Sequence, residues 1–174
     1  MWAIVLKYRH HLNIEKGNRM ASGDRKDKLT YPPLFEAGFT HVSEADIERV
    51  FVGVAESSRR KMLASQLRLF IQKLRSLGVK GELWIDGSFS TKNLEPMDID
   101  LLLVIPRIVL SAMTEENLKE LDELTGNREL TRARWSCDLY VIESSNIARR
   151  KYYEDFFSQN PDKDNRKGIP VIKL

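Results

Sequence analysis

Apolar positions along this chain recur with two different periods. Between residues 58 and 77, Leu63, Leu67, Phe70, Leu74 and Leu77 step by four and three. Arg59, Arg60, Gln66, Arg68, Lys73 and Arg75 occupy the intervening positions. That spacing predicts an amphipathic helix whose apolar stripe packs on a sheet; it is too short for a coiled-coil seam. A shorter helix is expected after Ser43, a plausible N-cap with Asp46 three residues on, which gives Ile47, Val50 and Phe51 one apolar face. Gly78 and Gly81 stop the long helix and lead into the apolar run Leu83-Trp84-Ile85, read as a strand. A second strand, Met97 to Ile105, ends at Pro106. A helix over 115–124 turns Leu118, Leu121 and Leu124 inward and stops at Gly126-Asn127. Residues 133–143 are expected as a third strand, with Trp135, Cys137, Leu139 and Val141 on one face and Ser136, Asp138 and Tyr140 on the other. A helix over 147–157, a polar loop over 159–167 and a short strand over 169–174 complete the pattern.

Helices alternating with a few strands predict an α/β or α+β class, built on a small mixed sheet. The 174 residues, 42% hydrophobic and 30% charged, suit one domain with a real core. That domain is expected over 31–174. Residues 1–30 read as a flexible segment: the first 28 hold seven Lys/Arg against three acids, so the remainder is nearly neutral. A net charge of +3 does not by itself argue for nucleic acid. Trp2 to Leu6 is far shorter than the roughly 20 residues that span a bilayer, so no membrane association is expected. The lone Cys137 excludes an internal disulfide framework and suits a reducing, cytoplasmic compartment. Strand alternation turns its thiol toward the core.

Chemistry concentrates at the end of the first strand and the start of the second. Ile85-Asp86 runs into Gly87-Ser88, and Met97-Asp98-Ile99-Asp100 opens the next strand about ten residues later. Asp98 and Asp100 share a face, and two carboxylates so placed repel unless a cation sits between them. Mg²⁺ or Mn²⁺ prefers such oxygen ligands and fills its remaining positions with water and phosphate. A Gly-Ser turn offers phosphate a backbone without Cβ, exposed N–H donors and a hydroxyl. The bland alternatives are a turn residue for Asp98 after Pro96, a solvated strand-end charge for Asp100, and an ordinary polar strand position for Asp138. The three histidines, at 10, 11 and 41, lack zinc-ligand spacing. Gly-x-Ser-x-Gly and Walker-type patterns do not occur.

Gly87-Ser88, then Asp98-Ile99-Asp100, then Asp138 on a later strand resembles the signature of the DNA polymerase β-type nucleotidyltransferases. The likeness covers about residues 82–142. Ser90, Thr91, Lys92 and Pro96, with Tyr31-Pro32-Pro33 and Lys167-Gly168-Ile169 in the flanks, are similar to small stand-alone microbial members. The resemblance implies a nucleotidyltransferase fold, with helices on one side of a twisted sheet. It also implies transfer of NMP from an NTP, such as ATP, to a hydroxyl on a protein side chain, a tRNA end or a small molecule. By this likeness Asp98 and Asp100 hold two Mg²⁺ ions, and Asp138 completes the metal site that activates the acceptor hydroxyl and takes its proton. Gly87 and Ser88 bind the β- and γ-phosphates. Lys92 is a second phosphate contact or a solvated loop lysine, and Ser90 and Thr91 are further donors or loop polarity. The aromatics of 147–157 stack a base or, more simply, fill the core. Small members of this kind often belong to toxin–antitoxin pairs, which adds a protein partner to the expectations. A catalytically inactive regulator that binds nucleotide, RNA or a partner on the same fold is the competing reading.

Overall fold

The computed structural model describes residues 31–53, 57–159 and 166–174. The expected flexible segment 1–30 and most of the expected 159–167 loop lie outside these residues. The long apolar stripe forms helix α2, Ser58–Ser76, capped by the Ser57 hydroxyl, which accepts from the Arg60 amide. Leu63, Leu67, Phe70 and Leu74 are fully buried along it. Gly78, at φ +77°, turns the chain out of the helix, a conformation that side chains with a Cβ resist. Ahead of α2, the Ser43 hydroxyl caps a 3₁₀ turn over Glu44–Asp46, which runs into the short helix α1, Ile47–Phe51.

Among the described residues five strands form one mixed sheet: β1 (Gly38–His41), β2 (Glu82–Asp86), β3 (Ile99–Ile105), β4 (Cys137–Glu143) and β5 (Gly168–Lys173). Their spatial order is β1-β5-β2-β3-β4. β2 runs antiparallel to both β3 and β5, while β1–β5 and β3–β4 are parallel pairs. Between β3 and β4 lie α3 (Arg107–Ala112), α4 (Glu115–Gly126) and α5 (Arg128–Trp135); α6 (Ile147–Phe157) links β4 toward β5. This is one small α+β domain.

Alternation divides the strands between two cores. Leu83, Ile85, Leu101, Leu103 and Leu139 pack with α1, α2 and α4. On the reverse face, Trp84, Leu102 and Tyr140 pack with Tyr153 and Phe157 of α6. Helices on one side therefore describes the larger core only, because the paired aromatic residues of α6 cover the other face.

Two further expectations are corrected. The strand expected from 133 begins at Cys137; the preceding residues form α5, and Ser136 takes a left-handed conformation (φ 53°) where helix turns into strand. Trp135 consequently packs from the helix, its ring 5.7 Å from that of Phe70. Arg60 is fully buried, whereas the sequence reading put it on the helix surface. The elements β1 and α3 were not foreseen. Among the described residues no helix is long and apolar enough to cross a membrane.

Candidate active site

Three neighbouring strands each bring one carboxylate to the same level of the sheet. Asp86 of β2 lies opposite Asp100 of β3, and Asp100 lies opposite Asp138 of β4. Directly opposed residues share a face, here the face of Trp84, Leu102 and Tyr140. Asp98, two residues before Asp100, joins them: the Arg132 guanidinium reaches Asp98 at 3.1 Å and Asp138 at 2.9 Å. The structure thus brings Asp98, Asp100 and Asp138 together and adds Asp86. The signal for Asp86 was present, since a hairpin through Gly87-Ser88 sets the end of one strand against the start of the next.

Gly87 stands beside this row at φ +77°, and a Cβ built there would collide with the Asp100 carboxylate. Ser88 opens a 3₁₀ turn, Ser88–Ser90. The hydroxyls of Ser90 and Thr91 donate to the carbonyls of Gly87 (2.9 Å) and Ser88 (2.8 Å), so both shape the loop. The Lys92 side chain is exposed, and its amide donates to Pro32 at 2.8 Å. Tyr31-Pro32-Pro33 therefore braces the loop from outside, with a bridge between Pro33 and Thr91. From inside, Arg60 donates to Phe51, Phe89, Thr91 and Asn93 carbonyls at 2.5, 2.7, 3.1 and 2.5 Å. Arg59 extends the clamp to the carbonyls of Pro96 (2.8 Å) and Met97.

Residues 28–173 match the profile of DUF6932, a family of unknown function. The chain belongs to that family. No curated protein and no solved structure matches it. The DUF6932 match spans all five strands and all four aspartates, so the carboxylate row is part of the family domain rather than an appendage.

Basic side chains meet the row from outside the sheet. Arg128, at the start of α5, forks onto buried Asp138: Nε donates to one carboxylate oxygen at 2.6 Å and Nη2 to the other. The same Nη2 donates to the Tyr140 hydroxyl at 2.6 Å. Arg132, one helical turn on, bridges Asp138 and Asp98. Lys167, buried just before β5, pairs with Asp86. Arg128, Arg132 and Lys167 are not among the expected site residues: the two arginines fall between the expected helix 115–124 and the expected strand 133–143, and Lys167 enters only through the flank resemblance, with no role attached. Burial, reinforced by the charges of Asp86, Asp98 and Asp138 and opposed by Lys167, pushes the Asp100 carboxyl up to about 7.

In donor chemistry the DUF6932 site suits a hard divalent cation. It offers carboxylate oxygens in a crowded row, one of them reluctant to ionise without a cation, beside a glycine whose missing Cβ leaves Asp100 room. As the side chains are placed, no group of three His, Cys, Asp or Glu among the described residues is arranged to hold a metal. The ion pairs give a physical reason: Asp138 is turned onto two guanidiniums and Asp86 onto Lys167. The basic side chains occupy the carboxylates where a metal would compete for them.

Proposed function

We propose that this DUF6932 domain is a metal-dependent nucleotidyltransferase. It moves an NMP from an NTP to a hydroxyl on a protein side chain, a tRNA end or a small molecule. The acceptor oxygen forms a bond to the α-phosphorus, the bond to the bridging oxygen breaks, and pyrophosphate leaves. The observation that supports this most is the in-register row Asp86-Asp100-Asp138, with Asp98 on the same face, beside a Gly-Ser turn clamped from both sides. Asp98, Asp100 and Asp138 would hold Mg²⁺ or Mn²⁺, which supplies positive charge to the attacking and leaving oxygens. Gly87 and Ser88 stand where backbone and hydroxyl donors meet phosphate. Asp138 can accept the acceptor's proton only when freed from Arg128 and Arg132, whose guanidiniums occupy both of its oxygens.

The same ion pairs favour a second reading, a non-catalytic nucleotide- or RNA-binding regulator in a toxin–antitoxin-type pair, in which the arginines hold Asp138 permanently. Incubation with each radiolabelled NTP and Mg²⁺ or Mn²⁺, with wild type beside Asp98→Ala, separates the two. Label transfer by the wild type that disappears in a folded Asp98→Ala variant supports the enzyme. Transfer that survives the substitution refutes the site, and no transfer at all leaves the regulator.

A further inference from the structure

Four carboxylates crowd one end of the sheet, and three basic side chains hold three of them: Arg128 and Arg132 on Asp138, Arg132 also on Asp98, and Lys167 on Asp86. The three cations come from two separate parts of the chain, the helix before β4 and the residue before β5, yet converge on one face. A divalent ion and a guanidinium cannot both take the same carboxylate oxygens, so metal held by Asp98, Asp100 and Asp138 must displace Arg128 and Arg132, and metal drawn also to Asp86, in register with Asp100, must displace Lys167. Lys92, the loop lysine with the expected phosphate role, is exposed and has its backbone engaged with Pro32. Displaced guanidinium and ammonium groups need an anion, and a polyphosphate arriving with the metal is the matching partner: planar forks and point charges both bind phosphate oxygens well. The exchange is also neutral, because two divalent cations and a fully ionised nucleoside triphosphate carry equal and opposite charge. The crowded row therefore gains no net charge.

We propose that Arg128, Arg132 and Lys167 form the polyphosphate-binding set of this site, stored on the carboxylates until metal and triphosphate arrive together. This rests on the nucleotidyl-transfer reading above. Arg132 is the informative member, because its side chain is 53% exposed and its loss leaves Asp138 still forked by Arg128.

The test is binding to the full chain without turnover. Mn²⁺ affinity is read by electron paramagnetic resonance, and affinity for inorganic tripolyphosphate by calorimetry at saturating Mn²⁺. The proteins are wild type, Arg132→Gln and Arg132→Lys, each checked for folding by circular dichroism. Arg132→Gln should bind Mn²⁺ about two- to fivefold more tightly and tripolyphosphate about two- to fivefold more weakly, the range expected for one solvent-accessible ion pair. Arg132→Lys should also gain Mn²⁺ affinity, because an ammonium cannot span Asp98 and Asp138, while keeping most of its tripolyphosphate affinity. Any other pattern in a wild type that binds both probes overturns the inference and leaves nucleotidyl transfer standing. A wild type that binds neither probe overturns the functional reading itself.

Discussion

Replacing Arg60 with Met isolates the clamp on the motif loop from the chemistry of the site. The guanidinium is fully buried, has no carboxylate partner among the described residues, lies over the Phe89 ring at 5.1 Å, and satisfies four carbonyls drawn from α1 and from the loop after β2. Burial lowers its pKa, which shows that the fold works against the charge it contains. Each hydrogen bond from a charged donor contributes roughly 1.5–3 kcal/mol. Against these four stands a desolvation cost of several kcal/mol for the guanidinium. Met keeps most of the stem's packing, so the expected net loss is roughly 2–4 kcal/mol, the range typical of carbonyls left buried and unpaired. Urea unfolding followed by tryptophan fluorescence measures it as a lower midpoint at unchanged slope. Arg59→Met is the comparison: Arg59 is only half-buried and serves the carbonyls of Pro96 and Met97, so its loss should cost at most about 1 kcal/mol. An Arg60→Met loss below about 1 kcal/mol, or one equal to that of Arg59→Met, would refute the clamp.

Two further outcomes follow from the site itself. Gly87→Ala should destabilise the domain by about 1–3 kcal/mol, through its positive φ and the collision with Asp100, and should abolish label transfer; a fully stable, active variant would show that neither constraint holds. Asp100 ionises at about 7 in the folded chain against an ordinary 3.8, so the fold prefers its neutral form. Its stabilising contribution is complete below the unfolded value and disappears as pH rises through about 7. Asp100→Asn removes that loss, so relative to wild type the variant should gain roughly 2 kcal/mol between about pH 5 and pH 8.5, a figure reduced from the full shift because Asp100 is partly solvated. Denaturation midpoints that stay parallel across this range would contradict the electrostatic picture.

Where local pattern and tertiary contact agreed, the sequence could be read. The α2 stripe, the α6 boundaries, the Gly78 stop and the Gly87 turn all follow from side-chain periodicity or backbone stereochemistry within a few residues. Arg60 could have been found in the same way, because it continues the inward spacing three residues before Leu63. The inference that arginine belongs outside overrode the period. For α5 no such signal exists: Arg-Glu-Leu-Thr-Arg-Ala-Arg-Trp buries only Thr131, and two of its three arginines, Arg128 and Arg132, engage carboxylates at the sheet's edge. Among the described residues the four-residue β1 pairs with β5 alone, some 130 positions away by register, beyond the reach of any local window. Asp98 and Asp100 follow from spacing and Asp138 from the family resemblance, whereas their cationic partners depend on where separate segments meet.

The position of β5 in the sheet has a consequence for synthesis. Although later in sequence than every other strand, it lies between β1 and β2. On the ribosome, the β2-β3-β4 portion can associate as it emerges, leaving an unprotected edge on β2 and β1 with no docking place. Only when β5 slots in does β1 join, and in the same event Lys167 reaches Asp86. Nascent chains stalled before that point would expose a sticky strand and a row of poorly neutralised acids, making chaperone capture strongest just before the last strand is released.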